Sequence, residues 1–410
     1  MKNILKLCGV SFLFLFLCFG YFNKSDTIRA DSTAALTHSY VSVVQGEVFF
    51  AVGHFYENGA DDMPGNYTSA FYYYEKGASA GNVRAMVHLA TLCRQGHGVV
   101  RSYENAFKWY HKAAVAGNSE AMLYTGIFYA EGKGVQQDER KAFQWYEKGA
   151  LAGNVQAMNN LGVLYKTGKG VAQNYAMAFE WYHKAFRAGD HKAPARNIGV
   201  LYEGGLGVPQ SYTKALDYYQ QAGQAGDTDG IVNAARLYQY GHGAAKSCEK
   251  ALQLYHQAAD EGNDSAMNSL GVLYETGNCG VQQDYGEAHE LYEQAAEKGN
   301  VSAITNLGRL YDSGQGVTQD YVRARELYQQ GAQAGSSSAM TSLGVLYEKG
   351  HGVVQNYGMA REWYEKAASA GNSDAMCRIA ALYEHGYGVA EDKQKAQFWY
   401  EKTSVTCHAD

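Results

Sequence analysis

The sequence predicts an all-α chain, an α/α superhelical solenoid of about ten two-helix repeats. Three observations lead there. A glycine recurs at Gly81, Gly117, Gly153, Gly189, Gly226, Gly262, Gly299, Gly335 and Gly371, with gaps of 36, 36, 36, 37, 36, 37, 36 and 36 residues. Each of these glycines is followed by Asn, Asp or Ser. An alanine and, four residues later, a tyrosine recur in register behind them. A fixed period of this size means units too small to bury a core alone, which stack on their neighbours.

Asn154 to Gly189 shows the unit most clearly. The first helix runs from Asn154 to about Thr167, where Ala157, Met158, Leu161, Leu164 and Tyr165 share one face at helical spacing. The turn is Thr167-Gly168-Lys169-Gly170-Val171. The second helix runs from Asn174 to about Arg187, with Ala178, Phe179, Trp181, Tyr182 and Ala185 inside.

The helix starts carry their own signal. The residues after the closing glycines are Asn82, Asn118, Asn154, Asp190, Asp227, Asn263, Asn300, Ser336 and Asn372. All are good N-caps, because a short oxygen-bearing side chain accepts from an orphan backbone N–H. Ser102, Asp138, Asn174, Ser211, Ser247, Asp284, Asp320, Asn356 and Asp392 play that part for the second helices. The closing glycine suits the left-handed position that ends a helix. The alanine of helix two runs through Ala106, Ala142, Ala178, Ala215, Ala251, Ala288, Ala324, Ala360 and Ala396, and the tyrosine follows from Tyr110 to Tyr400. The pair reads as a small-into-large packing rule between neighbouring helices.

These residues carry a resemblance. The pattern A-M-x-x-L-G-x-L-Y-x-x-G-x-G-V-x-Q-x-Y-x-x-A-x-x-W-Y-x-x-A resembles the Sel-one-like (SLR) repeat, a relative of the tetratricopeptide repeats. Asn154–Gly189 and Ser336–Gly371 match it almost throughout, and the likeness extends over roughly Gly46 to Lys402. It implies a TPR-like superhelix used as a binding scaffold, with no catalytic residues to carry over.

In chain order, residues 1–30 read as a secretory signal peptide. Lys2 and Lys6 precede an apolar run from Leu7 to Phe22, 16 residues long, short of the roughly 20 a spanning helix needs. Ala30 and Gly20 close the two candidate cleavage sites. The alternative is a retained anchor made by residues 7–22. Residues 31–45 read as a lead-in segment. The solenoid covers 46–405, with an atypical first unit at 46–80 and regular units over 82–405. Residues 406–410 are a C-terminal tail. The first unit carries an insertion, Ala60-Asp61-Asp62-Met63-Pro64-Gly65, and terminal repeats are expected to be atypical. One extra residue falls near Lys192-Ala193-Pro194 and another at Gly277-Asn278-Cys279-Gly280. With three prolines and no linker, a single elongated domain is expected.

Charge excludes little but points one way. The chain holds 35 Lys plus Arg against 41 Asp plus Glu. Without residues 1–30 the balance is 31 against 40, a formal −9. A mildly acidic chain without a basic cluster argues against nucleic acid and anionic membrane surfaces.

Candidate chemistry is sparse. All five tryptophans, Trp109, Trp145, Trp181, Trp363 and Trp399, share one repeat position, which marks core residues rather than a cofactor box. His97, His242 and His351 sit in Gly-His-Gly turns, a slot held elsewhere by Lys133, Lys169, Leu206 and Gln315, and read as exposed turn residues. No nucleophile elbow, His-Glu-x-x-His or paired-carboxylate motif is present. No cofactor, metal or catalytic residue is assigned, and a monomer is expected.

Cys8 and Cys18 fall in the signal segment. Cys93, Cys248, Cys279, Cys377 and Cys407 remain. Cys93 and Cys248 replace pattern tyrosines, which suits small buried residues. An exported chain meets an oxidising compartment, and Cys248 and Cys279 lie at the inter-helix turns of consecutive units. Their pairing as a disulfide stands beside the buried-thiol reading.

The candidate partner surface lies on the first helices. Opposite the inner face sits Val163, and the same slot holds Val200, Arg236, Val272, Arg309 and Val345, with Ile127 before them. Three residues earlier come Asn160, Asn197, Asn233 and Asn306. First helices line the concave face in solenoids of the tetratricopeptide type, by resemblance. A valine stripe flanked by amides suits an extended peptide, and the arginines suit acidic side chains within it. Against this, the valines could pack on the next first helix and the asparagines solvate the edge. The chain therefore reads as an exported scaffold, periplasmic or secreted, binding a protein or peptide. A cell-envelope hydrolase, or a regulator of envelope enzymes, is the alternative.

Overall fold

The computed structural model describes residues 30–59, 64–403 and 407, with side chains from residue 41 onward. The signal-peptide segment lies outside the described residues, apart from Ala30. So do most of the first-unit insertion and the tail, apart from Cys407. Among the described residues there are twenty α-helices, one 3-10 turn and no strand. The repeats pair them as α1 (Ala30–Asn58) with α2 (Tyr67–Ser79), α3 (Val83–Gln95) with α4 (Tyr103–Val115), α5 (Ser119–Glu131) with α6 (Glu139–Leu151), and α7 (Val155–Thr167) with α8 (Tyr175–Arg187). There follow α9 (Ala193–Gly204) with α10 (Tyr212–Gln224), α11 (Thr228–Tyr240) with α12 (Cys248–Asp260), and α13 (Asp264–Thr276) with α14 (Tyr285–Glu297). Last come α15 (Val301–Ser313) with α16 (Tyr321–Gln333), α17 (Ser337–Lys349) with α18 (Tyr357–Ser369), and α19 (Ser373–His385) with α20 (Lys393–Lys402).

The chain divides into two compact units, Met1–Asp190 with Gly205–Pro209, and His191–Gly204 with Gln210–Asp410. The boundary falls in the repeat that carries the extra residue near Lys192-Ala193-Pro194. Within each unit successive helices pack against one another. Among the described residues no helix is long and apolar enough to cross a membrane.

Capping sets the helix boundaries. All nine second-helix caps accept from the backbone N–H three residues on, as Asn174 does from Met177 at 3.0 Å. The first helices do the same from Asn82, Asn118, Asn154, Asp227, Asn263, Asn300, Ser336 and Asn372. Asp190 differs, because the extra residue beside Pro194 delays α9 until Ala193. Asp190 therefore does not stand next to a helix start. The lead-in expected at 31–45 is instead the opening part of α1, which runs 29 residues. No glycine or proline interrupts it before Gly46.

The second-helix alanines are fully buried, as with Ala142, Ala178, Ala215 and Ala251 at 0 % exposure. In seven repeats the tyrosine four residues later packs on a glycine of the first helix in its own repeat, where the others carry Ala90, Ala235 and Ala380. A Cβ on Gly271 would lie 2.6 Å from the Tyr292 ring, and one on Gly162 would lie 2.6 Å from Tyr182. Between these neighbouring helices the tyrosine's small partner is thus the first-helix glycine rather than the second-helix alanine.

The Gly-x-Gly turn joins one repeat to the one before. A Cβ on Gly134 would come within 2.3 Å of the Tyr103 backbone, and one on Gly243 within 2.3 Å of Tyr212. Only glycine permits that approach, and its φ of 66° at Gly134 suits glycine as well. The turn histidines are not merely exposed. His97, His242 and His351 stack on Tyr67, Tyr212 and Tyr321, with ring centroids 4.7, 4.6 and 4.3 Å apart. Trp181 is buried, whereas Trp109, Trp145, Trp363 and Trp399 are half-buried at the edge of the core. A lysine three residues on covers each ring, as Lys184 does Trp181 at 4.0 Å.

Candidate functional site

Buried tyrosines organise the first-helix surface. A buried phenol needs a hydrogen-bond partner, and the residue after the first-helix tyrosine supplies one. Tyr219 donates to Glu203 at 2.7 Å, Tyr292 to Glu275 at 2.7 Å and Tyr255 to Gln239 at 2.9 Å. Tyr328 donates to Asp312 at 3.3 Å, Tyr400 to Glu384 at 2.7 Å, and Tyr74 and Tyr364 to Glu57 and Glu348. Burial pushes the Tyr255 phenol up to about 12. In the repeats where this slot holds Arg94 and Ala130, Tyr110 uses Thr91 at 2.8 Å and Tyr146 uses Asn160.

The two arginines of the proposed stripe meet these same carboxylates. Arg236 binds Glu203 at 2.8 Å. Arg309 grips Glu275 with both terminal nitrogens, one of them at 2.8 Å. The Glu275 side chain is only 7 % exposed, while Arg309 remains 51 % exposed. Each arginine thus bridges consecutive repeats and is fixed in direction, with its charge answered from within the chain. An acidic ligand is then not required to balance it.

The carboxyl slot responds to its neighbours. Burial pushes Glu57 up, but bonds from His88 and Tyr74 outweigh it and hold the carboxyl below its ordinary range. Burial holds Asp312 above its range, because Tyr328, His351 and Lys349 offset it only in part. The positions that carry a cation in other repeats are Ser342 and Val345 beside Asp312.

The remaining stripe residues separate by burial. In the second unit Asn197 is buried at 7 % exposure. Val200 and Val345 are half-buried against core clusters. Asn233 is half-buried, and Asn306 donates to Asn268 at 3.0 Å and accepts from Arg309 at 3.2 Å. Val272 is 37 % exposed. In the first unit Asn160 and Val163 are both half-buried. What remains at the surface of the second unit is Val272, Asn233, Asn306 and the two braced arginines.

Cys248 and Cys279 are joined by a disulfide, with Cα atoms 4.9 Å apart. A second bond, Cys377–Cys407, ties the chain end to α19 across 30 residues. Cys93 is a buried free thiol. The sequence reasoning singled out neither the second bond nor the tyrosine-facing carboxyl slot. The slot had a signal, since acids or amides fill it in seven repeats at Glu57, Glu203, Gln239, Glu275, Asp312, Glu348 and Glu384.

Comparison with known proteins gives one family. The Sel1 repeat matches ten times, at 50–82, 83–118, 119–154, 155–190, 195–227, 228–263, 264–300, 301–336, 337–372 and 373–404. Among solved structures, the chain is similar to a protective antigen of uropathogenic Escherichia coli strains with an SLR fold. That likeness has 27 % identity and a TM-score of 0.56, and covers 90 % of this chain and 86 % of the antigen. It is also similar to a Sel1 repeat protein from Oxalobacter formigenes, at 28 % identity and a TM-score of 0.55, over 76 % of this chain and 90 % of that one. No curated protein matches.

Proposed function

Because the chain belongs to the Sel1 repeat family, a family of repeat scaffolds, we propose that it binds a protein partner through the first-helix face of its second unit. The observation that carries this is Val272, an exposed valine on α13. It lies between Arg236 on α11 and Arg309 on α15, whose guanidinium groups are held in place by Glu203 and Glu275. An apolar contact beside pre-oriented donors suits an extended peptide, with Asn233 and Asn306 able to donate to and accept from its backbone. Fixing the arginines beforehand lowers the ordering cost of binding. The two disulfides point to an oxidising, extracytoplasmic compartment. Together with Lys2, Lys6 and the apolar run after them, they support an exported protein, periplasmic or secreted.

The test is site-specific photo-cross-linking in the native compartment. One chain carries the cross-linker at Val272 and another carries it at Val354, an exposed turn residue. Adducts from position 272 that vanish when Asn233→Ala and Asn306→Ala are added, with the variant folded by circular dichroism, support the face. Adducts only from position 354 move the binding surface to the turns and overturn this reading.

A further inference from the structure

The first repeat departs from the others on this same helix face. Where Val163 stands in its repeat, repeat one has His54. Where Asn160 stands, repeat two has His88. Where Glu203 and Glu275 stand, repeat one has Glu57. His54 and Glu57 are three residues apart on α1 and so share a face, and His88 on α3 faces them. The His88 Nδ1 atom is 2.9 Å from Glu57 Oε2, and the His54 Nδ1 atom is 4.0 Å from it. One ligating atom from each residue can be chosen so that all three lie within 4.8 Å of one another.

We propose that His54, Glu57 and His88 form a binding site for a divalent transition metal of the zinc class. Two imidazoles and a carboxylate are a donor set that suits such an ion, and three protein ligands leave a coordination position for water. Tetrahedral ligation at about 2.0–2.2 Å sets ligand atoms roughly 3.3 Å apart, and the observed separations straddle that value. A turn of the His54 side chain, 50 % exposed, closes the site. Pairing the Glu57 charge does not explain the arrangement. One cation from the next first helix does that for Glu203 and for Glu275, whereas Glu57 has two histidines.

The surroundings hold the ligands as a metal site requires. The Tyr74 hydroxyl donates to Glu57 and orients its carboxylate. Phe50, 4 % exposed, packs against both imidazoles, with centroids 5.7 Å from His54 and 5.4 Å from His88. Arg84 lies over the Phe50 ring at 4.2 Å. The Asn58 amide nitrogen lies 3.1 Å from the His54 Nε2 atom, a contact that is given up when the His54 side chain turns to the metal. Metal binding replaces the hydrogen bond between His88 and Glu57 and releases its proton to solvent. Calcium and magnesium, which prefer all-oxygen sites, are excluded by the donor set.

The site is independent of peptide binding and is tested without it. The untagged full chain is stripped with chelator and titrated with Zn2+ by calorimetry and with Co2+ by visible absorption. His54→Val and His88→Asn place in these slots the residues that other repeats carry, so both variants are expected to fold. Wild type is expected to bind one equivalent, to show the intense visible bands of tetrahedral Co2+, and to melt at a higher temperature with Zn2+. Each variant is expected to lose more than about tenfold in affinity and the Co2+ bands, with an unchanged metal-free melt. Three results would overturn the proposal: no binding by wild type, binding that both variants retain, or loss in only one variant, which leaves no three-ligand site.

Discussion

Cys279 lies in the turn after α13 with its Cα 4.9 Å from that of Cys248, the first residue of α12. Seven other junctions have a tyrosine at the helix start with a glycine pressed onto it, and at an eighth Gly170 meets the Glu139 backbone. Here the turn has one extra residue, and a Cβ on Gly280 would meet no atom within 4 Å. Cys279 itself takes a left-handed φ of 60°. The covalent bond stands where the glycine contact is lost.

Replacing both cysteines, as Cys248→Ser with Cys279→Ser, therefore removes the main tie at that junction. The bond closes a loop across 31 residues, and its loss is expected to cost about 2–4 kcal/mol. Urea melts of the double variant and of wild type, with and without reductant, check this. An unchanged midpoint would show that the junction is held by other contacts.

Gly271→Ala places a methyl group 2.6 Å from the Tyr292 ring. Alanine favours a helix over glycine by about 1 kcal/mol, so propensity alone predicts stabilisation. Overpacking costs about 1–3 kcal/mol, and the net expectation is a lower midpoint. Gly271→Ala combined with Tyr292→Leu should cost less than the separate effects added together. Additive single and double variants in a thermodynamic cycle would refute the direct contact.

The Glu275–Arg309 bridge yields a compensation test. Arg309→Val, the residue that four other repeats carry, leaves a buried carboxylate with the Tyr292 hydroxyl as its remaining short partner. The expected cost is about 1–3 kcal/mol. Adding Glu275→Gln copies the Gln239 arrangement, in which an amide accepts from Tyr255 at 2.9 Å. The double variant should regain much of the loss in chemical denaturation. Failure to recover would mean that the arginine acts by packing rather than by charge.

Asp312 gives a pH signature. Its carboxyl is held above the ordinary range by burial, so the folded chain binds that proton more tightly than the unfolded chain does. The contribution to stability is fully present in acid, below the unfolded pKa, and is lost as pH rises through the raised folded value. Asp312→Asn is therefore expected to raise the urea midpoint at about pH 7 and to lose that advantage below about pH 3.5. A gain of equal size at both pH values would show that the charge of Asp312 is not responsible.

The fold was legible because its signals are local. Asn174 caps α8 through its own side chain and a backbone N–H three residues away, and no distant contact is needed to read that. Asp190 misled for the same reason, since one inserted residue moved the helix start without changing the local cap signature. The carboxyl slot was harder to see. Glu275 sits on an otherwise exposed-looking edge of α13, and its burial depends on Tyr292 from one helix and Arg309 from another.

By itself, the sequence determined the helices, their pairing and the membership of a repeat family, because period, caps and apolar spacing act within a few residues. Only the tertiary structure decided which polar residues meet. It placed Tyr292 on Gly271, braced Arg309 with Glu275, buried Asn197 while leaving Val272 exposed, and brought His88 to His54 and Glu57. The physical reason is that burial and charge pairing depend on side chains from separate helices, which the repeat pattern spaces alike whether or not their chemistry matches.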